Sequence, residues 1–180
     1  MGRDKSTLVV DGSTLAVRTA ELLALVVETA IEVGPGVSGL PAVVEHPRGE
    51  GPLVSVAAGC RALRDRGHRG GALVVACDLP LVSEHLFRLL AEWDSSGSVV
   101  PVVRGRPQPL CARWASEDLD GAQALVSAGH RSLQHLLTQP GVEVLDESRW
   151  GHVVNEEEFF DVDTPEDLQR LGLMNRVKRN

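Results

Sequence analysis

Apolar residues along this chain recur with two different periods, and the switching between them divides it into strands and helices. Leu15, Thr19, Leu22 and Val26 share one helical face, with Ser13 or Thr14 placed to cap it. A stronger amphipathic pattern puts Leu53, Val56, Ala57, Cys60 and Leu63 on one side, Arg61, Arg64 and Asp65 elsewhere, and Gly67 at the stop. A third helix is predicted from about Ser83, with Leu86, Leu89, Leu90 and Trp93 inward. Between these lie short apolar runs. Leu8-Val9-Val10 reads as a small strand or hairpin, Ala30 to Gly34 and Ala42-Val43-Val44 as strands, and Ala72 to Cys77 as a buried parallel strand. Strand, loop and helix alternate three times, the signature of βαβ units and a parallel sheet.

After Gly97 the rhythm changes. Ser98–Val103 and Pro109–Trp114 are β-like runs joined by Arg104-Gly105-Arg106-Pro107, which predicts a hairpin or a pair of neighbouring strands. Short helices follow near Leu119–Ser127 and Ser132–Leu137, then a strand at Val142–Leu145. Thr164-Pro165-Glu166-Asp167-Leu168 is a helix start, with Thr at the cap, Pro at the first helical position and an acid at the third. The pattern is that of a single domain over 1–174 with a basic tail at 175–180. It shows neither repeats nor low-complexity tracts.

Composition narrows the function. At 180 residues, with 43% hydrophobic and 24% charged positions, the chain can bury a real core. A net charge of −7 argues against a general nucleic-acid or anionic-membrane binder, though a small site can still take a nucleotide with a divalent cation. The apolar runs are too short to span a bilayer, and the start lacks a signal-peptide core. Cys60, Cys77 and Cys111 show no CxxC spacing and sit in apolar contexts, which predicts buried, reduced thiols and a cytoplasmic setting. The six histidines have no ligand spacing, and P-loop, dinucleotide, nucleophile-elbow and HExxH motifs are all missing.

What remains is a set of individually weak signals. Asp78 follows the run ending at Cys77 and precedes Pro80, so it stands at the carboxyl end of a strand, where open α/β sheets bind ligands. An Asp there is also a common turn or cap residue. Gly2-Arg3-Asp4-Lys5 is either a solvated terminus or a loop whose Lys5 reaches phosphate with Arg3 assisting. Gly51-Pro52-Leu53 is either an ordinary helix start or one that offers backbone N–H groups to an anion. Asp163 either precedes a cap or is a second acid beside Asp78.

In order, these pieces resemble the MobA-like nucleotidyltransferases that build the guanine dinucleotide form of the molybdenum cofactor. That family carries a signature of the type LAGGxSxRMGxDK, then GPLAG, CDxP and later DTPEDL. This chain has Met1-Gly2-Arg3-Asp4-Lys5, Gly51-Pro52-Leu53-Val54-Ser55, Cys77-Asp78-Leu79-Pro80, Gly105-Arg106-Pro107-Gln108-Pro109-Leu110 and Asp163-Thr164-Pro165-Glu166-Asp167-Leu168. The resemblance implies a three-layer, Rossmann-like α/β fold with a mostly parallel sheet. It implies guanylyl transfer from GTP to molybdopterin or its molybdenum-bearing form, with release of pyrophosphate. Mg²⁺ would be the cofactor, held by Asp78, and Lys5 would contact the nucleotide phosphates. Gly2, Arg3, Lys5, His46 and Asp78 would line the nucleotide site, and Asp163 would serve the acceptor or the metal. Partners would be GTP, the pterin and, transiently, other cofactor-biosynthesis proteins, with no nucleic acid or membrane.

Three departures accompany the match. The chain begins inside the signature, so the family's central first strand and Leu-Ala-Gly-Gly loop are absent from it, and the expected start lies upstream of Met1. Val54-Ser55 replace the usual Ala-Gly, and Glu45-His46 occupy the region where the family often reads the base. A transferase using CTP or another phosphorylated acceptor, or a catalytically silent nucleotide-binding homologue, fits the same pattern.

Overall fold

The computed structural model describes residues 7–10, 12–164, 166 and 167. The first elements form a small hairpin, β1 (Val9–Val10) antiparallel to β2 (Ser13–Thr14). Helix α1 (Leu15–Ala24) follows, and of the two expected caps Thr14 is the one used: its Oγ1 accepts the N–H of Val17 at 3.2 Å. Strands β3 (Glu32–Val33) and β4 (Ala42–Val43) pair in parallel as a separate two-stranded ladder. Helix α2 (Pro52–Asp65) leads to β5 (Ala72–Val75), and α3 (Glu84–Glu92) is capped by Ser83, whose Oγ accepts the N–H of Leu86 at 3.2 Å.

The second half completes the larger sheet with β6 (Val99–Val103), β7 (Arg106–Pro107), β8 (Cys111–Trp114) and β9 (Glu143–Leu145). Strand β8 pairs antiparallel with both β5 and β6, while β9 runs parallel to β6. Thus β5, β6 and β9 share a direction and β8 is inserted against them. The predicted turn is a tight hairpin between β6 and β7, with positive φ at Arg104 (49°) and Gly105 (74°) matching the twist of the paired strands. Helices α4 (Ser116–Ser127) and α5 (Gln134–Leu137) close one face. Helix α6 (Glu147–Trp150) and a 3₁₀ turn at Glu156–Phe159 close the other, and both lie in a stretch where the pattern predicts no element.

Alternation along the strands makes three layers, because successive side chains point to opposite faces. Ala72, Val74, Val100, Ala112 and Trp114 join a core with α2, α4 and α5. Leu73, Val75, Val99, Cys111 and Leu145 join a second core with α1, α3, Trp150 and Phe159. The expected buried strand at 72–77 is shorter and only half-buried. It ends at Val75, and among the described residues its sole ladder partner is β8. A groove of about 430 Å³ runs along its other edge.

Candidate active site

Two of the acids expected at the site, Asp78 and Asp163, belong to segments that meet at the carboxyl end of β5. After Val75 the backbone turns through Cys77 and Asp78, both half-buried and both lining the groove. The N–H of Val162 donates to the Asp78 carbonyl at 2.9 Å, and Val162 is itself buried in a small apolar cluster with Val10 and Leu15. That hydrogen bond fastens the segment 161–163 beside Asp78, so the second acid considered in the sequence, Asp163, stands one residue from the contact. The backbone brings the two aspartates to one edge.

The helix start that follows forms as its residues predict, and it fixes Asp163. Asp167 Oδ2 accepts the N–H groups of Asp163 at 3.0 Å and Thr164 at 2.7 Å, while Thr164 Oγ1 accepts the N–H of Asp167 at 3.2 Å. This reciprocal capping holds the Asp163 backbone at the helix entrance.

Across the groove, the loop after β3 is held by a residue the sequence pattern did not single out. Glu32 Oε1 accepts the N–H of Gly36 at 2.6 Å and of Val37 at 3.1 Å. Its Oε2 accepts the N–H and the Oγ–H of Ser38 at 2.8 and 2.7 Å. Partial burial works against the charged carboxylate, but the donors from Ser38, Gly36 and Val37 outweigh it, and Glu32 titrates below the ordinary Glu range. Ser38 and Leu40 of this loop line the groove with Glu32 itself. The available signal was an acid followed by Gly34-Pro35-Gly36, a turn composition that leaves backbone N–H groups in need of an acceptor.

The start of α2 differs from the anion-binding alternative. Leu53 N–H donates to the carbonyl of Arg131 at 3.1 Å and Val54 N–H to that of Gly51 at 3.1 Å, so two of the first-turn donors are already engaged within the protein. The 130–132 loop sits directly on this terminus: a Cβ on Gly51, whose φ is 110°, would lie 2.8 Å from the Arg131 oxygen. Gly51 is therefore a packing glycine as much as a turn glycine.

Other expected site residues are placed less centrally. His46 is exposed on the loop after β4 and does not line the groove. Gly2, Arg3 and Lys5 lie outside the described residues, as do Leu168 and the tail 175–180. Of the thiols expected to be buried, Cys60 and Cys111 are, and burial pushes both up from their ordinary range. Cys77 is not fully buried, because it stands past the end of β5 on the groove wall.

With this geometry in place, comparison with known proteins is decisive at the family level. The sequence profile described as the MobA-like NTP transferase domain matches residues 1–144. The chain belongs to this family. A "probable molybdenum cofactor guanylyltransferase" of Bacillus anthracis is 29% identical over 178 residues, covering 92% of this chain and 86% of its own length. A Bacillus cereus protein of the same name is 31% identical over 104 residues, and the match spans about half of that relative, 50%, and 57% of this chain. Among solved structures, the molybdopterin-guanine dinucleotide biosynthesis protein A of Archaeoglobus fulgidus superposes with a TM-score of 0.65 at 22% identity, over 94% of this chain and 89% of that one. The 2-C-methyl-D-erythritol 4-phosphate cytidylyltransferase of Thermus thermophilus gives 0.63 at 20% identity, over 92% and 91%. These likenesses show that the MobA-like chain has the α/β fold of nucleotidyltransferases. None of its described helices is long and apolar enough to cross a membrane.

Proposed function

We propose that this MobA-like chain transfers a guanylyl group from GTP to the terminal phosphate of molybdopterin or its molybdenum-bearing form, releasing pyrophosphate. The observation that carries this reading is the pairing of Asp78 with the 161–163 segment at the groove's carboxyl edge, through the 2.9 Å bond from Val162 N–H to the Asp78 carbonyl. The relatives named molybdenum cofactor guanylyltransferase support the choice of nucleotide and acceptor.

In the proposed step an acceptor phosphate oxygen attacks the α-phosphorus of GTP. The new P–O bond forms as the bond to the β-phosphate oxygen breaks, and the electron pair leaves with pyrophosphate. Two anions must meet in line, so the protein's work is alignment and charge neutralisation rather than proton transfer. Mg²⁺ is commonly held by one or two carboxylates with water and substrate phosphates completing its shell. Asp78 and Asp163 supply a donor set of that kind, and among the described residues no three His, Cys, Asp or Glu side chains gather into a ready-made cage. Bound there, the ion would supply charge neutralisation across the phosphates. Asp78 would orient the nucleotide through it, Asp163 would serve the ion or the acceptor, and Lys5, with Gly2 and Arg3, would approach the phosphates. The Glu32-held loop would form the opposite wall.

Pyrophosphate release, measured with GTP, CTP and ATP in the presence of molybdopterin and Mg²⁺, tests the reading. GTP alone should support turnover, and chelation of the metal should stop it. Asp78→Asn should lower kcat about 10²–10³-fold, the cost of removing one preorganised electrostatic group, with the thermal midpoint nearly unchanged. Preferential use of CTP would move the chain to the cytidylyl-transferring reading. Absence of turnover with every nucleotide would favour a silent homologue.

A further inference from the structure

Gly105 to Leu110 has no role in the reaction above, yet the fold carries it to the same edge as Asp78. Strand β8 pairs with β5 so that Val75 faces Cys111, and the Ala76 N–H donates to the Leu110 carbonyl at 2.7 Å. Strand β6 runs with β5, so its hairpin turn at Arg104-Gly105 projects from the sheet's carboxyl edge. The hairpin is held rigidly. Val102 pairs with Pro107 and Val103 with Arg106, and the Gln108 N–H donates to the Pro101 carbonyl at 2.8 Å.

Its two arginines have different surroundings. The Arg104 N–H donates to the Glu147 carboxylate, and its guanidinium donates from Nη2 to Glu156 Oε1 at 2.5 Å and from Nε to Oε2 at 3.3 Å. Arg104 thereby clasps the hairpin to α6 and the 3₁₀ turn, and its charge is already answered. Arg106 is exposed, and among the described residues no acid pairs with it. Residues directly opposed in a ladder share a face. Arg106 therefore lies on the face of Val103, which packs against the core containing Trp150 and Phe159. That face is covered by the 3₁₀ turn, from which the chain runs directly to Asp163.

We propose that Arg106 receives the terminal phosphate of the acceptor and positions it for attack, selecting phosphorylated over dephosphorylated pterins. The assignment rests on the phosphoryl-transfer reading above. In-line displacement brings the acceptor in opposite the leaving pyrophosphate. With the nucleotide in the groove on one edge of β5, the opposite approach comes from the β8 edge, where the hairpin stands. This rim bears Asp78, Asp163, Glu147 and Glu156 on a chain of net charge −7, so an anionic acceptor needs a cation to meet it there. A guanidinium offers a planar fork of donors that matches two phosphate oxygens at once.

The test uses the full chain and two readouts. In turnover with GTP and molybdopterin, Arg106→Ala should raise KM for molybdopterin about 10- to 100-fold, the worth of hydrogen bonds to a charged group. KM for GTP and the thermal midpoint should stay unchanged. Arg106→Lys, which keeps the charge without the fork, should recover part of the loss. The second readout is modification of Arg106 by phenylglyoxal, followed by peptide mass spectrometry. Molybdopterin at about ten times its Kd should slow this modification about tenfold, while dephosphorylated molybdopterin or GTP with Mg²⁺ should not. An unchanged KM for molybdopterin in Arg106→Ala would overturn the proposal. So would the lack of protection by molybdopterin, or equal protection by the dephosphorylated pterin or by GTP. Lack of turnover in the unsubstituted chain counts instead against the guanylyl reading, and protection of Arg106 then decides the proposal by itself.

Discussion

Glu32 and Asp78 are two carboxylates on one groove with opposite duties. Glu32 spends its lone pairs on Gly36, Val37 and Ser38 and so shapes backbone, whereas Asp78 sits where the backbone is anchored by its own carbonyl. Glu32→Gln should cost about 1–3 kcal/mol at neutral pH by leaving part of this donor set unmatched. The pH dependence has a definite sign. Because the folded Glu32 titrates below its ordinary value of 4.5, its contribution is fully present above that value and is lost as the pH falls through the folded value. Thermal midpoints of the two proteins should therefore differ most at neutral pH and converge in acid. An unchanging gap would show that the carboxylate's charge is not what holds the loop. The place of Asp78 just past the carboxyl end of β5 was legible from sequence because strand, acid and proline punctuate one another locally. Glu32 was not, since its role exists only once six residues have folded back onto it.

At the scale of elements, two contacts between distant segments do what local capping cannot. Gly51→Ala should destabilise the protein by about 1–3 kcal/mol, because it imposes strain at a φ of 110° and drives a Cβ against the Arg131 carbonyl. Urea unfolding with an unchanged slope would report it. Arg113 projects from β8 and donates to the carbonyls of Ala91, Trp93, Ser95 and Gly97 at 2.5–3.2 Å, binding the end of α3 to the start of β6. A cation there also complements the negative helix end. Arg113→Met should cost at least about 2 kcal/mol, since it strands these partly buried acceptors; a neutral result would mean that water replaces the guanidinium freely. Neither contact could be read from the chain, because each joins residues far apart in sequence. The helix caps at Thr14, Ser83 and Thr164 were readable, as they act within three residues. Helix α6 escaped notice because four residues are too few to display a period.

For the whole molecule, stability should be unevenly shared. The sheet of β5, β8, β6 and β9 lies between two full cores containing the buried Trp114 and Trp150, while β3–β4 is a two-residue ladder beside the groove. Amides of β8 and β6 should exchange only through global unfolding, and those of β3 and β4 through local opening, faster by orders of magnitude. Comparable rates in both regions would contradict this division. The layered architecture was visible in the sequence because alternation and helical periods reveal faces. Which strands pair, and that β8 runs antiparallel between β5 and β6, was not, as pairing partners leave no mark in a single chain's pattern.

Cys77 gives the groove a built-in reporter. Cys60 and Cys111 are buried and their thiols are pushed away from the reactive thiolate form, so at neutral pH a mild alkylating reagent should find Cys77 first. Its labelling rate becomes a direct gauge of whatever enters beside Asp78. Nucleotide and metal could each be titrated by the protection they confer on one sulfur atom, with no assay of turnover required.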